Sequence, residues 1–495
     1  MTVHPYLFNV LEFGAAADGK TDCTQALQKT VDACVQAGGG QVLLPPGIYL
    51  CGALRLGSYV DLHLAPGAIL QGSPHLSAFP IEEQPLSIES RRAGLITAVD
   101  AQQVSITGQG TIDGQGYHFI DLDVWKVGSD YDPHFTRQGE AYMHPRFGTQ
   151  HGPQSVGDRP GNLIRFFRCQ NVLIEGVTIC NAPTWTVHIN TCELVNILGV
   201  HIHSLDSDCR VPNDDGIDLR FSRRVHIANC DIQTGDDCIA LFGSQQVTVT
   251  NCTLASKSSG LRVGWDLGQL QDCSFNNLII HAHRGINVCV RGSGSVENIL
   301  FSDLVIRTQL LTGHWWGNGE PIHISSGRGF SDTQPLGTIK HLRFHNIMAE
   351  SEQGILVYGC PESPIEDVLL EDVQLHIKAS PLQKSYGGNI DLRGLADLSH
   401  AVFEHEIPGL YARYVNDLDL RRLRLSWDGG LPEFYTDGIA CEHFNALTIE
   451  NFRGAPARSD ACSIALRDGK IVHLHHCHLP AGAINAEQVE DLEVE

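Results

Sequence analysis

The chain has 495 residues, 42% hydrophobic and 18% charged, with 50 Gly but only 3 Met, a balance suited to strands and turns rather than a helical bundle. Its formal net charge of -23 works against nonspecific binding to nucleic acid or an anionic membrane, since both are polyanions. No apolar run is long enough to cross a bilayer, and none of the 16 Cys forms a CxxC pair, so free thiols are expected rather than a zinc or redox site.

Met1 to Val10 lacks the cationic start and apolar stretch of a secretory leader. The expected location is the cytoplasm, or the periplasm or exterior if the numbered chain is a processed form. Asp22 is placed to cap a helix whose Leu27, Val31, Cys34 and Val35 share one face, and Gly38-Gly39-Gly40 ends it. Such a helix would cover the open end of a strand stack, where unpaired backbone invites aggregation. Gly108-x-Gly110 has no helix after it and is no nucleotide motif. The stretch Asp121–Asp158 is rich in His, Tyr, Asp and Gly and predicts an inserted loop.

From residue 172 a short pattern recurs: apolar, x, apolar, x, Asn/Asp/Gly, apolar, x, apolar. It occupies Val172–Ile179, Val195–Ile202, Val225–Ile232, Val247–Leu254, Val296–Ile306 and Ile339–Ile347. Further copies are Ile365–Leu375, Val415–Leu425, Phe444–Phe452 and Ile471–Leu479. Uninterrupted copies lie about 22–30 residues apart, too short for a propeller blade and lacking the helices of other solenoids. The expected fold is all-β: one parallel β-helix over residues 1–495, with 1–80 as the cap and first coils and inserted loops at 121–160 and 307–335. Equivalent residues of successive coils should then stack in columns about 4.8 Å apart. One column reads Val177, Val200, Cys230, Cys252, Leu278, Leu304, Ile347, Val373, which makes Cys230 and Cys252 small buried hydrophobes.

Between the strand copies lies a second pattern, x-x-Gly/Cys-Ile/Leu-x-apolar. Asp214-Asp215-Gly216-Ile217-Asp218-Leu219 aligns with Asp236-Asp237-Cys238-Ile239-Ala240-Leu241. Ser258-Ser259-Gly260-Leu261-Arg262-Val263, His283-Arg284-Gly285-Ile286-Asn287-Val288 and Glu320-Pro321-Ile322-His323-Ile324 continue the series. One coil earlier, Thr184-Trp185-Thr186-Val187-His188-Ile189 also fits. The register sets Asp215 beside Asp237 and Asp214 beside Asp236. Carboxylates crowded in this way repel, raising the pKa of at least one. Glycoside hydrolysis uses such a pair, one carboxyl protonated to donate to the leaving oxygen and another ionised to activate water. Asp214, Asp218, His188, Trp185, Arg262, His283, Arg284, Asn287, Glu320 and His323 are expected to contact a carbohydrate substrate. The glycine-flanked Trp315 and Trp316 are expected to form an aromatic platform for a sugar ring. His473, His475, His476 and His478 lie on a terminal strand copy where alternate side chains point oppositely, so no metal is expected there.

Asn213-Asp214-Asp215-Gly216-Ile217-Asp218 resembles the NTDGID motif of glycoside hydrolase family 28, the polygalacturonases. Thr234-Gly235-Asp236-Asp237-Cys238-Ile239-Ala240 is similar to that family's GDD motif. Gly108-Gln109-Gly110-Thr111-Ile112-Asp113-Gly114, Arg159-Pro160 and Phe13-Gly14-Ala15 through Asp18-Gly19 look like its upstream marks. The resemblance, from about Phe13 to Arg291, implies a right-handed β-helix and inverting, cofactor-free and metal-free hydrolysis of a pectin-related glycan. It makes Asp236 the general acid and has Asp215 and Asp237 activate water. Two motifs depart: Gly-His-Gly reads Ser258-Ser259-Gly260, and Arg-Ile-Lys reads Asn287-Val288-Cys289. Arg262 or Arg284 is the expected substitute for the lost carboxylate grip. The alternatives are a hydrolase of a neutral glycan, a uronic-acid lyase or epimerase, and a noncatalytic carbohydrate-binding β-helix.

Overall fold

The computed structural model describes residues 6–86, 88–125, 130–142, 154–204, 211–329, 335–477, 479 and 483–495. The chain divides into two compact units, one of Met1–Lys126, Pro153–Ala240 and Ser244–Thr253, the other of Val127–Gly152, Leu241–Gly243 and Leu254–Glu495.

In the first unit each coil contributes three short strands to three parallel ladders. One ladder runs through Leu54–Leu56, Ile96–Val99, Ile164–Phe167, Val187–Asn190 and Ile217–Arg220. A second runs through Val60–Leu64, Gln102–Gly108, Gln170–Glu175, Glu193–Leu198 and Arg223–Ala228. The third runs through Ala68–Gly72, Thr111–Asp113, Thr178–Cys180, His201–His203 and Asp231–Thr234. This is the predicted parallel β-helix. Ile164, Val187 and Ile217 are in register, as are Val172, Val195 and Val225, and all six are fully buried.

The polar or glycine break in each repeat has a conformational cause. Gly176, Gly199, Asn229 and Asn251 all have positive φ, between 55° and 75°. A left-handed residue there turns the chain from the second ladder into the third, and Gly and Asn occupy that region at least cost. The Asn251 amide donates to Asn229 Oδ1 at 3.2 Å, so the corner is also tied from coil to coil.

The helix Thr24–Gln36 packs on the first strands of this unit. Asp22 Oδ1 accepts the Thr24 N–H at 2.9 Å. Leu27, Val31 and Cys34 are buried as expected, but Val35 is 41% exposed and Thr30 takes the remaining inward position. Residues 35 and 31 are four apart, so the buried stripe is narrower than the sequence suggested. Part of the predicted loop is regular: Ile120–Trp125 pairs antiparallel with Gln154–Val156.

In the second unit the strands following each corner fuse into long ones, Gln269–Ala282, Ser295–Thr308, Ile339–Ser351 and Ile365–Ile377. Leu278, Leu304, Ile347 and Val373 pair in succession, as the column predicts. Phe275, Phe301 and Phe344 stack with centroids 4.9 and 4.7 Å apart, the strand spacing itself. Asn277, Asp303, Asn346 and Asp372 carry positive φ at the corners here. Cys230 and Cys252 are buried, and every described cysteine is a free thiol.

Candidate functional site

Three turns of the first unit stack one coil above another and carry the acidic residues. Thr186 N–H donates to Asp215 O at 2.7 Å, and Gly216 N–H donates to Asp237 O at 3.0 Å. Val187 pairs with Ile217 and His188 with Asp218, which confirms the coil-to-coil alignment read from sequence. Gly216 is needed for this approach: a Cβ there would lie 2.5 Å from the Cys238 carbonyl oxygen and 2.6 Å from Ile232 Cγ2.

The stacking gathers the carboxylates of Asp215, Asp236 and Asp237, whose nearest oxygens all lie within 4.8 Å of one another. Asp215 and Asp237 are 3% and 1% exposed, while Asp236 is half-buried and reachable. Three ionised groups at that spacing repel strongly, and sharing a proton relieves the repulsion. One protonated and one ionised carboxyl at neighbouring positions is the equipment for acid/base cleavage of an acetal. Among the described residues this is the one group of three or more His, Cys, Asp or Glu side chains close enough to hold an ion, and its all-oxygen donor set would suit a hard cation.

Asp214 is not part of that triplet. Its Oδ1 accepts the backbone N–H groups of Gly235 and Asp236 at 2.8 and 3.0 Å, and its Oδ2 is bonded by the Ser204 hydroxyl. Burial holds its carboxyl well above the usual carboxylate range, against the pull of those hydrogen bonds. Asp214 therefore shapes the Gly235–Asp237 turn. Asp236 is fixed in turn by the Asn213 N–H at 3.1 Å and the Asp237 N–H at 3.1 Å.

Arg159 completes this support and was not singled out from sequence as a site residue. Its guanidinium is buried and donates to Pro183 O at 3.0 Å, Pro212 O at 3.1 Å and Asn213 Oδ1 at 2.9 Å. Burial lowers its pKa, while the negative charges of Glu89, Asp214, Asp215 and Asp236 oppose that. Asn213, held in the left-handed region at φ 59°, links Arg159 to Asp236. The sequence signal was Arg159-Pro160 itself, a buried cation two coils away in number but adjacent in space.

His188 is 2% exposed, edge-on to Trp185 at 5.1 Å and to Phe167 at 5.2 Å. Asn162 Nδ2 lies 2.9 Å from His188 Nδ1, and Thr184 holds the Asn162 carbonyl oxygen at 2.9 Å. With the amide donating, the proton of the neutral ring sits on Nε2. Burial, then the charges of Arg220 and Arg165, bring the His188 pKa down to about 3. Trp185, 5% exposed, and His188 thus form a packed support, and Asp218, 0% exposed, lies beside them in the ladder.

In the second unit, Arg262 pairs with Asn287 and Asn287 with His323, as the column reading requires. Most of its expected sugar contacts are interior. Arg284 donates to Asp391 O at 2.9 Å and lies 3.5 Å from Glu320 and 3.8 Å from the Asp391 carboxylate. Arg393 forms a close ion pair with Asp391 at 2.7 Å and bonds the Trp315 carbonyl. Burial pushes Glu320 up, but the Arg284 charge and His323 outweigh it and hold its carboxyl at about 2. His283, His323 and Trp315 are 2%, 0% and 3% exposed, so they and Arg284 belong to a buried charge network rather than to an open sugar platform. The reason is two excursions that cover this part of the ladder, one around residues 308–322 within the inserted loop expected at 307–335, the other around 389–404, which was not expected from the sequence. Trp316 remains half-exposed, its Nε1–H donating to Asp130 at 2.7 Å. Of the terminal histidines, His473 and His475 face Glu493 at 2.8 Å and Glu495 at 3.1 Å, and His478 lies outside the described residues.

Comparison with known proteins agrees with this geometry. The family description "Glycosyl hydrolases family 28" matches residues 85–385, and "Rhamnogalacturonase A/epimerase, pectate lyase-like" matches residues 7–74. A probable polygalacturonase of Vitis vinifera is 26% identical over 401 residues, covering 75% of this chain and 74% of the relative. An exo-poly-alpha-D-galacturonosidase of Dickeya chrysanthemi is 26% identical over 330 residues, 62% of this chain and 51% of the relative. The family 28 exopolygalacturonase of Yersinia enterocolitica shares the fold with a TM-score of 0.62 at 19% identity, over 91% of this chain and 79% of that one. The exopolygalacturonase of Thermotoga maritima does so with a TM-score of 0.59 at 23% identity, over 75% and 87%. The stacked aspartate turns and a family match spanning well over half of its length mean that this chain belongs to glycosyl hydrolase family 28 and is a glycoside hydrolase.

Proposed function

We propose that the protein hydrolyses α-linked galacturonate chains or oligosaccharides of the pectin type, with inversion at the anomeric carbon. The observation that carries this is the cluster of three carboxylates within 4.8 Å, with Asp236 the most accessible. Asp236, protonated, gives its proton to the leaving glycosidic oxygen. Asp215 and Asp237, ionised, hold and deprotonate the attacking water, and the reaction consumes one water for each bond broken. The spacing is nearer to the roughly 5–5.5 Å of many retaining carboxyl pairs than to the roughly 6.5–9.5 Å of many inverting ones. A third carboxylate changes that argument. Two oxygens up to 4.8 Å apart admit one water hydrogen-bonded to both at about 2.8 Å each, so the nucleophile can be water without a wide gap.

The substrate class draws on the relatives, which are named as polygalacturonases and exopolygalacturonases. The test is digestion of polygalacturonate, trigalacturonate and neutral β-glucan and galactan oligosaccharides. New reducing ends from the galacturonates without an ultraviolet-absorbing unsaturated product support hydrolysis. An unsaturated product means β-elimination and transfers the site to a lyase, and cleavage of the neutral glycans alone removes the pectin assignment. Because the cluster has a donor set for a cation, the digestion is repeated after EDTA treatment. Unchanged rates are expected, and loss restored by Ca²⁺ or Mg²⁺ would give the carboxylates a metal-binding role instead.

A further inference from the structure

The strand Ile355–Tyr358 of the second unit is apolar on both of its faces. Ile355 and Val357 point into the coil and are buried. Leu356 and Tyr358 point away from it and are nevertheless buried, in a cluster with Leu392, Leu395 and Tyr411. Two members of that outer cluster, Tyr358 and Leu395, line a cavity of about 650 Å³ whose wall is largely apolar. Small-molecule sites span about 300–1,000 Å³, so the space suits one ring-sized ligand with its substituents. Close packing shapes it in advance. A Cβ on Gly359 would lie 2.2 Å from the Tyr414 carbonyl oxygen, and one on Gly327 would lie 2.6 Å from Leu395 Cδ2.

The cations at the edge of the cavity are not equally matched. Arg328 Nε donates to Glu362 Oε2 at 2.8 Å, and His400 Nδ1 lies 3.0 Å from Asp397 Oδ2. Arg413 differs. Its Nη1 donates to the Tyr358 hydroxyl at 2.9 Å, and its guanidinium carbon is 5.5 and 5.1 Å from the ring centres of Tyr358 and Tyr414. Glu442 stands one rung further along the ladder, 3.9 Å from Arg413 Nε, and the same carboxylate oxygen is held by the Tyr411 hydroxyl. Nε is buried with no hydrogen-bond partner among the described residues. A half-buried guanidinium whose close neighbours are phenols keeps much of its charge for a further anion, and the two rings fix its plane.

We propose that this cavity binds a small aromatic carboxylate, its ring lying against Tyr358 and Leu395 and its acid group on Arg413. The site is built from residues of the second unit alone and does not depend on the galacturonate reading. A wall this poor in polar groups would leave the hydroxyls of a plain sugar unpaired, which is costly, whereas an aromatic ring gives up little on entering it. The planar fork of an arginine matches a carboxylate in geometry as well as charge.

The test uses benzoate, with benzyl alcohol as the ring without the charge and galacturonate as the charge without an apolar ring. Cys360, a half-buried free thiol, lines the cavity and reports its occupancy, while Cys462, also half-buried, is the internal control. Alkylation of each by iodoacetamide is followed by peptide mass spectrometry, and affinity is measured by calorimetry. Benzoate is expected to bind with a Kd below about 1 mM and, at saturation, to slow alkylation of Cys360 about 5-fold or more without affecting Cys462. Benzyl alcohol and galacturonate should each bind about 10-fold more weakly or worse. Arg413→Gln should weaken benzoate about 10- to 100-fold, and Arg413→Lys, which keeps the charge without the fork, should fall between and serves if the Gln variant melts early. No binding of benzoate, binding that leaves Cys360 unprotected, or equal affinity in Arg413→Gln overturns the proposal. Protection of Cys360 by galacturonate at the same concentration as benzoate overturns the aromatic assignment and makes the cavity a sugar site.

Discussion

Replacing Arg159 by Gln separates support of the aspartates from their chemistry. The guanidinium makes three hydrogen bonds, to Pro183 O, Pro212 O and Asn213 Oδ1, all within 3.1 Å. Charged hydrogen bonds of this kind are worth about 1.5–3 kcal/mol each, and acceptors left unpaired in the interior add a further penalty. Glutamine can recover one of them, so the fold should lose about 3–5 kcal/mol. The loss of positive charge beside Asp214, Asp215 and Asp236 also makes every ionised carboxylate there less favourable. The acid limb of the kcat/KM profile should therefore move to higher pH, and kcat should fall about 10²- to 10³-fold while KM changes little. Urea unfolding gives the first quantity and initial rates on trigalacturonate across pH give the second. An unchanged acid limb with kcat lowered only in proportion to the unfolded fraction would reduce Arg159 to a structural residue and refute the reasoning.

Asp236→Asn and Asp215→Asn should each cut kcat by about 10²- to 10⁴-fold with far-ultraviolet circular dichroism unchanged, because each removes one partner of the proton transfer without touching the ladders. Acid should unfold the protein early. Burial pushes His188 and His283 from 6.5 to about 3 and His323 to about 4. Below pH 6.5 the unfolded chain binds protons that the folded one refuses, so stability falls as pH falls, by up to about 1.4 kcal/mol per unit per group. Asp214 has the opposite sign, since its raised pKa favours the folded state as pH drops toward 3.8. From pH 6.5 to 4.5 the net loss should be about 4–7 kcal/mol, read from urea midpoints, and a flat profile would contradict neutral buried histidines. Phe301→Ala removes the middle ring of the three-phenylalanine stack and should cost about 3–5 kcal/mol by the same unfolding measurement.

Much of this molecule was legible in its sequence because the β-helix reuses one local solution. The alternation at Val172, Ile174, Val177 and Ile179 fixes which side chains face inward, and the left-handed Gly or Asn between them fixes where the chain bends. Register then follows from repetition, so the alignment of Asp215 with Asp237 needed no coordinates. What the sequence concealed lies outside the repeat. Arg284, Glu320 and His323 fit the columns and Trp315 lies in the loop before Glu320, but Asp391 and Arg393, supplied by an excursion about a hundred residues downstream of Arg284, enclose them in ion pairs and hydrogen bonds.

The most direct measurement is a proton NMR time course of trigalacturonate hydrolysis, following the anomeric signals before mutarotation equilibrates them. Water activated between Asp215 and Asp237, with Asp236 as the acid, requires the β-anomer to appear first from the α-linkage. First appearance of the α-anomer would mean that one of the three aspartates forms a covalent bond to the sugar, and the assignment of a water-activating pair would have to be given up.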